Sequence, residues 1–171
     1  MKKISFITKA AAIAALYVVL TLLANALGLA SYAIQVRFSE ALTILPFFTP
    51  AAIPGLFVGC LISNLLCGAI PTDILCGSIA TLLGALGTYA IRKKLPEWCA
   101  CIPPILANTI IVPFVLAYAY HFDGTIPYFM LTVGIGEIIS CGILGIALLK
   151  VLKKYRNVLF AEEQVASKSA A

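Results

Sequence analysis

Charged side chains make up only 11% of these 171 residues, against 62% hydrophobic ones. A soluble domain keeps about a quarter of its residues charged so that water wets its surface, so a water-soluble enzyme is excluded first. Histidine is nearly absent, at one residue, which removes the paired imidazoles of most metal centres. No glycine-rich loop ends in Gly-Lys-Ser/Thr, so the chain has no cradle for a nucleotide's phosphates and hydrolyses no ATP itself. No serine sits in a nucleophile elbow. Nothing in the sequence reads as catalysis, and no cofactor is called for.

What is present is apolar length, with a mean hydropathy of +1.06. Segments free of Asp, Glu, Lys and Arg run over 10–36, 41–72, 74–91 and 98–122, and over 124–149 broken only by Glu137. Four of these suit one membrane-crossing helix each. The run 41–72 is too long: its 32 residues make a helix of about 48 Å against a hydrocarbon core of about 30 Å. Phe48-Thr49-Pro50, followed by Pro54, is a credible break, because proline removes a backbone donor and opens a helix well. The spacing predicts a short helix over 38–48 and a longer one over 51–67.

Charge tests the count. With six crossings and the N-terminus inside, Lys2, Lys3, Lys9, Arg92, Lys93, Lys94, Lys150, Lys153, Lys154 and Arg156 are all cytoplasmic and only Arg37 is outside. Five crossings place eight inside and three outside, so the positive-inside rule prefers six. The net charge of +5 orients the chain and does not read as a nucleic-acid surface. The expected fold is an all-α integral membrane protein of the plasma membrane, with six transmembrane helices, a short second helix and both termini cytoplasmic. It occupies residues 1–156, and 157–171 is expected to be a polar, disordered tail. Lys2-Lys3, an apolar stretch and Ala24-Asn25-Ala26 imitate a cleavable signal, but apolar character continues to Ile34, a spanning length. No internal repeat is evident.

Of six cysteines, Cys60, Cys67, Cys76 and Cys141 lie in apolar runs and read as packing residues. Cys99 and Cys101 lack the further ligands that tetrahedral zinc requires, so no metal site is expected.

Ionisable groups inside a bilayer are costly unless paired or facing a cavity. On the six-helix topology Arg37, Glu40, Asn64 and Asp73 fall at outer depth, with Asn108 and Glu137 nearer mid-span. This predicts a cavity open to the outside and closed below. Simpler roles compete: Arg37 and Glu40 are three apart and suit a rim pair, Asp73 follows Pro71-Thr72 where a carboxylate caps a helix, and Asn64 and Asn108 suit interhelical bonding. His121 and Asp123 read as a solvated loop. Glu137 has no local partner and is the strongest functional candidate. On the first helix Ala10 and Ala14, and Ala11 and Ala15, are spaced for close helix approach, as are Gly55 and Gly59, and Ala80 and Gly84.

The block Gln35-Val36-Arg37-Phe38-Ser39-Glu40-Ala41-Leu42, with Leu45-Pro46, Pro54-Gly55-Leu56-Phe57-Val58-Gly59 and Ser63-Asn64, resembles the QueT family. So does Asp73 followed by Gly77-Ser78-Ile79-Ala80-Thr81-Leu82, and the likeness extends to about Arg156. The resemblance implies a substrate-capture S component of an energy-coupling factor transporter. Such a component works in the membrane with a coupling T component and two cytoplasmic ATPase subunits, and its ligand is a queuosine precursor, a 7-deazaguanine. The ring N–H and exocyclic amine of that ligand suit one carboxylate, and an aminomethyl group suits a second. Glu137 with Asp73 or Glu40 are the candidates for these. Asn108 or Asn64 suits the ring carbonyl, and Phe38, Tyr118 or Tyr128 suits stacking. Ala10, Ala11, Ala14 and Ala15 are the candidate T-component contact. An ion-coupled secondary transporter relaying through Glu137, an intramembrane enzyme and a structural subunit stand as alternatives.

Overall fold

The computed structural model describes residues 2–29 and 35–160, the side chains of Lys2, Asn157 and Val158 excepted. Among them every element is helical. Of the expected disordered tail over 157–171, residues 161–171 lie outside the described residues, whereas 157–159 belong to a last helical turn and Phe160 is buried.

Helix α1 is Lys2–Ala26, α2 is Phe38–Phe47, α3 is Ala52–Leu66 and α4 is Pro71–Ile91. Helix α5 is Glu97–Tyr118, α6 is Ile126–Lys154, and a final turn, α7, is Arg156–Leu159. Four of these, α1, α4, α5 and α6, are long and apolar enough to cross a membrane. Their most apolar windows are only 17% to 39% buried against the protein, so the remaining apolar surface faces outward and needs a non-aqueous solvent.

The break at Phe48-Thr49-Pro50 is where the spacing places it. Its first arm is 3-10 wound, with Pro46 inside, and its ten residues extend about 20 Å, short of a bilayer core. The second arm's fifteen residues reach about 22 Å. The apolar run from α1 continues to Val36, but the helix does not. Gly28, at φ 73°, takes the left-handed conformation that favours glycine, and Gly28 N–H and Leu29 N–H bond back to the carbonyls of Asn25 and Ala24. Gly68, at φ 75°, ends α3 in the same way.

Close contacts set the helix directions. A Cβ on Gly55 would lie 2.7 Å from the Ala10 carbonyl oxygen, and one on Gly59 would lie 2.8 Å from Tyr17 Cβ, so α1 and α3 run side by side in the same sense. Helices α4 and α5 are antiparallel, with Gly84 against Pro104, Gly87 against Pro103, and Thr88 Oγ1 donating to the Ala100 carbonyl at 2.8 Å. Arg37 meets Ser140, Thr43 meets Cys141 and Ile44 meets Gly145, so α2 and α6 run in one sense. Lys153 pairs with Glu97 at 3.0 Å, and Phe160 stacks on Phe48 with ring centroids 5.2 Å apart. One end of the bundle therefore carries Lys9, Arg92, Lys93, Lys94, Lys150, Lys153, Lys154 and Arg156. The other carries residues 27–29 and 35–37 and the 67–70 and 119–125 connections.

Candidate functional site

Helix α1 presents one stripe to its neighbours. Ala14, Tyr17, Thr21 and Ala24 are spaced alternately three and four apart and are all buried. Within the stripe, the Tyr17 hydroxyl donates to Glu40 Oε1, and Thr21 Oγ1 donates to Ser39 Oγ at 2.8 Å. These two bonds sew α2 to α1. In a 3-10 helix residues three apart eclipse, so Arg37, Glu40 and Thr43 share a face, and that face meets α6.

On α6, Glu137 ends the regular α-winding and Ile138–Gly145 is π-wound, a distortion often found at functional sites. Cys141 lies one turn below Glu137. Its thiol is 3.1 Å from Glu137 Oε2, 3.3 Å from Thr43 Oγ1 and 3.4 Å from the Glu40 carbonyl oxygen. Asn108 of α5 completes the cluster, its amide donating to Glu40 Oε2 at 3.5 Å.

This cluster forms the floor of a cavity at the end of the bundle opposite the basic residues. The main chamber, about 560 Å³, is walled by Thr21, Asn25, Arg37, Asn64, Asp73, Tyr120, Tyr128 and Phe129, among others. Its volume suits a small molecule. A narrow second space of about 20 Å³, room for one water or one amino group, shares Gln35, Arg37, Asp73 and Val112 with the chamber and reaches Glu40, Asn108 and Glu137. Asn64 and Asn108 are buried to within a few per cent, and each donates from its amide to a partner inside the protein, to Cys60 Sγ and Glu40 Oε2.

Arg37 does not close the rim pair with Glu40. Among the described residues its guanidinium makes no ion pair and donates to Gln35 Oε1 at 3.4 Å, while its backbone N–H donates to Ser140 Oγ at 3.1 Å. Asp73 sits in the first turn of α4, and its Oδ2 accepts from the Tyr120 hydroxyl at 2.9 Å. Partial burial, and then the Asp73 carboxylate, pushes the Tyr120 phenol up, so it stays a donor.

The structure thus brings Arg37, Glu40, Asp73, Asn108 and Glu137 to the narrow space, and Asn64 to the chamber above. Phe38 lines neither, because it lies a third of a turn from the Arg37–Glu40 face. Tyr128 lines the chamber, whereas Tyr118 faces outward beside a shallow apolar groove between α4 and α5. Of the small-residue pairs on α1, Ala10 and Ala14 pack on Gly55 and Gly59, while Ala11 and Ala15 are exposed. Sequence reasoning missed Tyr17, Gln35, Thr43, Tyr120 and Cys141. Tyr17 falls on the Ala10–Ala14 face, and Cys141 is four residues after Glu137, so helical spacing held both signals.

Ligand-type atoms of Glu40, Glu137 and Cys141 lie within 4.8 Å of one another, the nearest approach to a metal-ligand set among the described residues. Three of the four carboxylate oxygens already accept hydrogen bonds, from Tyr17, Asn108 and the Cys141 thiol itself. Without a metal the group is an acidic floor, able to hold a hydrogen-bond donor or a positive charge.

A family model described as QueT transporter matches residues 7–154 of the chain. No curated protein and no solved structure matches it.

Proposed function

The chain belongs to the QueT transporter family, and on that premise we propose that it is the substrate-capture S component of an energy-coupling factor importer for a queuosine precursor, a 7-deazaguanine. The observation that carries this reading is the 560 Å³ chamber descending to an acidic floor, at the end of the bundle opposite the basic residues. On the positive-inside rule the basic end is cytoplasmic. The chamber then opens outward, both termini are inside, and six helices span the plasma membrane with α2 too short to cross alone.

The flat ring stacks in the chamber beside Tyr128. Its paired N–H donors point down at Glu137, since one carboxylate accepts two parallel donors well. Asp73 or Glu40 takes a second positive or donor group, and Asn64 or Asn108 takes the remaining polar edge. The chain has no phosphate-binding loop, so energy comes from partners: a T component and two cytoplasmic ATPase subunits, with exposed Ala11 and Ala15 the face left for the first.

The test is calorimetric titration of the purified chain with 7-deazaguanines, followed by uptake in vesicles with and without the ATPase complex. Saturable binding by the chain alone, with uptake only when the complex and ATP are present, is the expected result. Uptake by the chain alone under an ion gradient makes it a secondary transporter. Failure of every deazaguanine to bind ends the capture reading.

A further inference from the structure

Glu40 is a buried carboxylate whose two oxygens are held by different helices, Oε1 by the Tyr17 hydroxyl of α1 and Oε2 by the Asn108 amide of α5. Three residues before it, on the same face of α2, stands Arg37, whose guanidinium reaches, among the described residues, only a glutamine oxygen, at 3.4 Å. A free carboxylate beside a guanidinium in a poorly solvated site is drawn into an ion pair. It does not pair here because its orientation is already taken.

We propose that Tyr17 is a positioning residue for ligand capture: its hydroxyl tethers Glu40 away from Arg37, so that an acidic floor and a separate cationic wall both stay open to the solute. The inference rests on the capture reading above. Tyr17 is 1% exposed and lines neither cavity space, so it reaches the ligand through Glu40 alone. The side chain is held independently of the hydroxyl, since it is buried in the hydrophobic core and its Cβ packs against Gly59. Removing the hydroxyl therefore leaves the packing and releases the carboxylate. Glu40 then turns onto Arg37, and each cancels the charge the other offered the ligand.

The experiment is a double-mutant cycle on the full chain, with Tyr17→Phe, Glu40→Gln and both, titrated with 7-aminomethyl-7-deazaguanine. Tyr17→Phe is expected to weaken binding about tenfold or more in the native background and less than twofold when Glu40 is already glutamine. Equal losses in both backgrounds, or none in either, overturn the tether. Thermal unfolding of the same four proteins gives a reading that needs no ligand. If the unsubstituted chain binds no deazaguanine, the capture reading fails. The tether is then judged on whether the two substitutions couple in their thermal midpoints, and additive shifts overturn it.

Discussion

Glu137→Gln is the substitution whose consequence follows most directly from the geometry. Glu137 Oε2 already accepts from the Cys141 thiol at 3.1 Å, which leaves the other oxygen for the narrow space above. Glutamine keeps the length, and with its carbonyl on Cys141 its amide nitrogen takes the place of the oxygen facing the narrow space, which Glu40 also lines. There it finds an acceptor, and the fold is satisfied; losing an intramembrane charge also lowers the desolvation cost. The ligand fares differently, because its donors now meet a donor. A buried polar group left unpaired costs about 1 to 3 kcal/mol, which is roughly a fivefold to a hundredfold loss of affinity. Calorimetry on the well-folded variant, with its thermal midpoint measured alongside, gives both numbers. Unchanged affinity for every deazaguanine in a folded variant removes Glu137 from the site. A loss of folded protein together with binding makes it a structural carboxylate instead.

Three further outcomes test the frame around the site. Gly59→Ala places a methyl 2.8 Å from Tyr17 Cβ and 3.0 Å from the Ala14 carbonyl oxygen; overpacking of about 1 to 3 kcal/mol should lower the thermal midpoint, and an unshifted midpoint refutes the α1–α3 contact. Ala15→Trp, on the exposed face, should leave ligand binding intact and abolish uptake by the assembled transporter, whereas surviving uptake frees that face of any partner. Cysteines introduced at Lys93 and Thr125 report the orientation: labelling of intact cells by an impermeant reagent is expected at 125 and not at 93, and the reverse inverts the topology.

Much of this arrangement is legible in the chain. The proline-marked break at Phe48-Thr49-Pro50 follows from length alone, and the polar residues that the six-helix topology raises to one end do meet at one cavity. The helical windings were not legible. A 3-10 winding of Phe38–Phe47 eclipses Arg37 with Glu40, whereas an α-winding would offset them by about 60°, and local propensity does not distinguish the two. Alternating crossings already make α2 and α6 parallel, but nothing along the chain reveals that they are neighbours, which is what puts Glu40 beside Glu137, 97 positions away. Cys141 reads as apolar filler although Glu137 stands four residues before it, because its other contacts, to Thr43 and the Glu40 carbonyl, come from the distant α2.

The unusual winding of α6 has a genetic consequence. The π-wound segment Ile138–Gly145 packs more residues into each turn than an α-helix does, so it holds close to one residue in excess over the regular path between Glu137 and Ile146. Deleting one residue from a regular helix such as α4 rotates everything beyond it by about 100° and turns lipid-facing leucines inward. Deleting half-exposed Ile139 lets the segment relax to α-winding while Glu137 above and Lys150 below keep their bearings. Helix α6 is thus a long helix in which a codon loss shortens the protein without scrambling which of its sides faces outward.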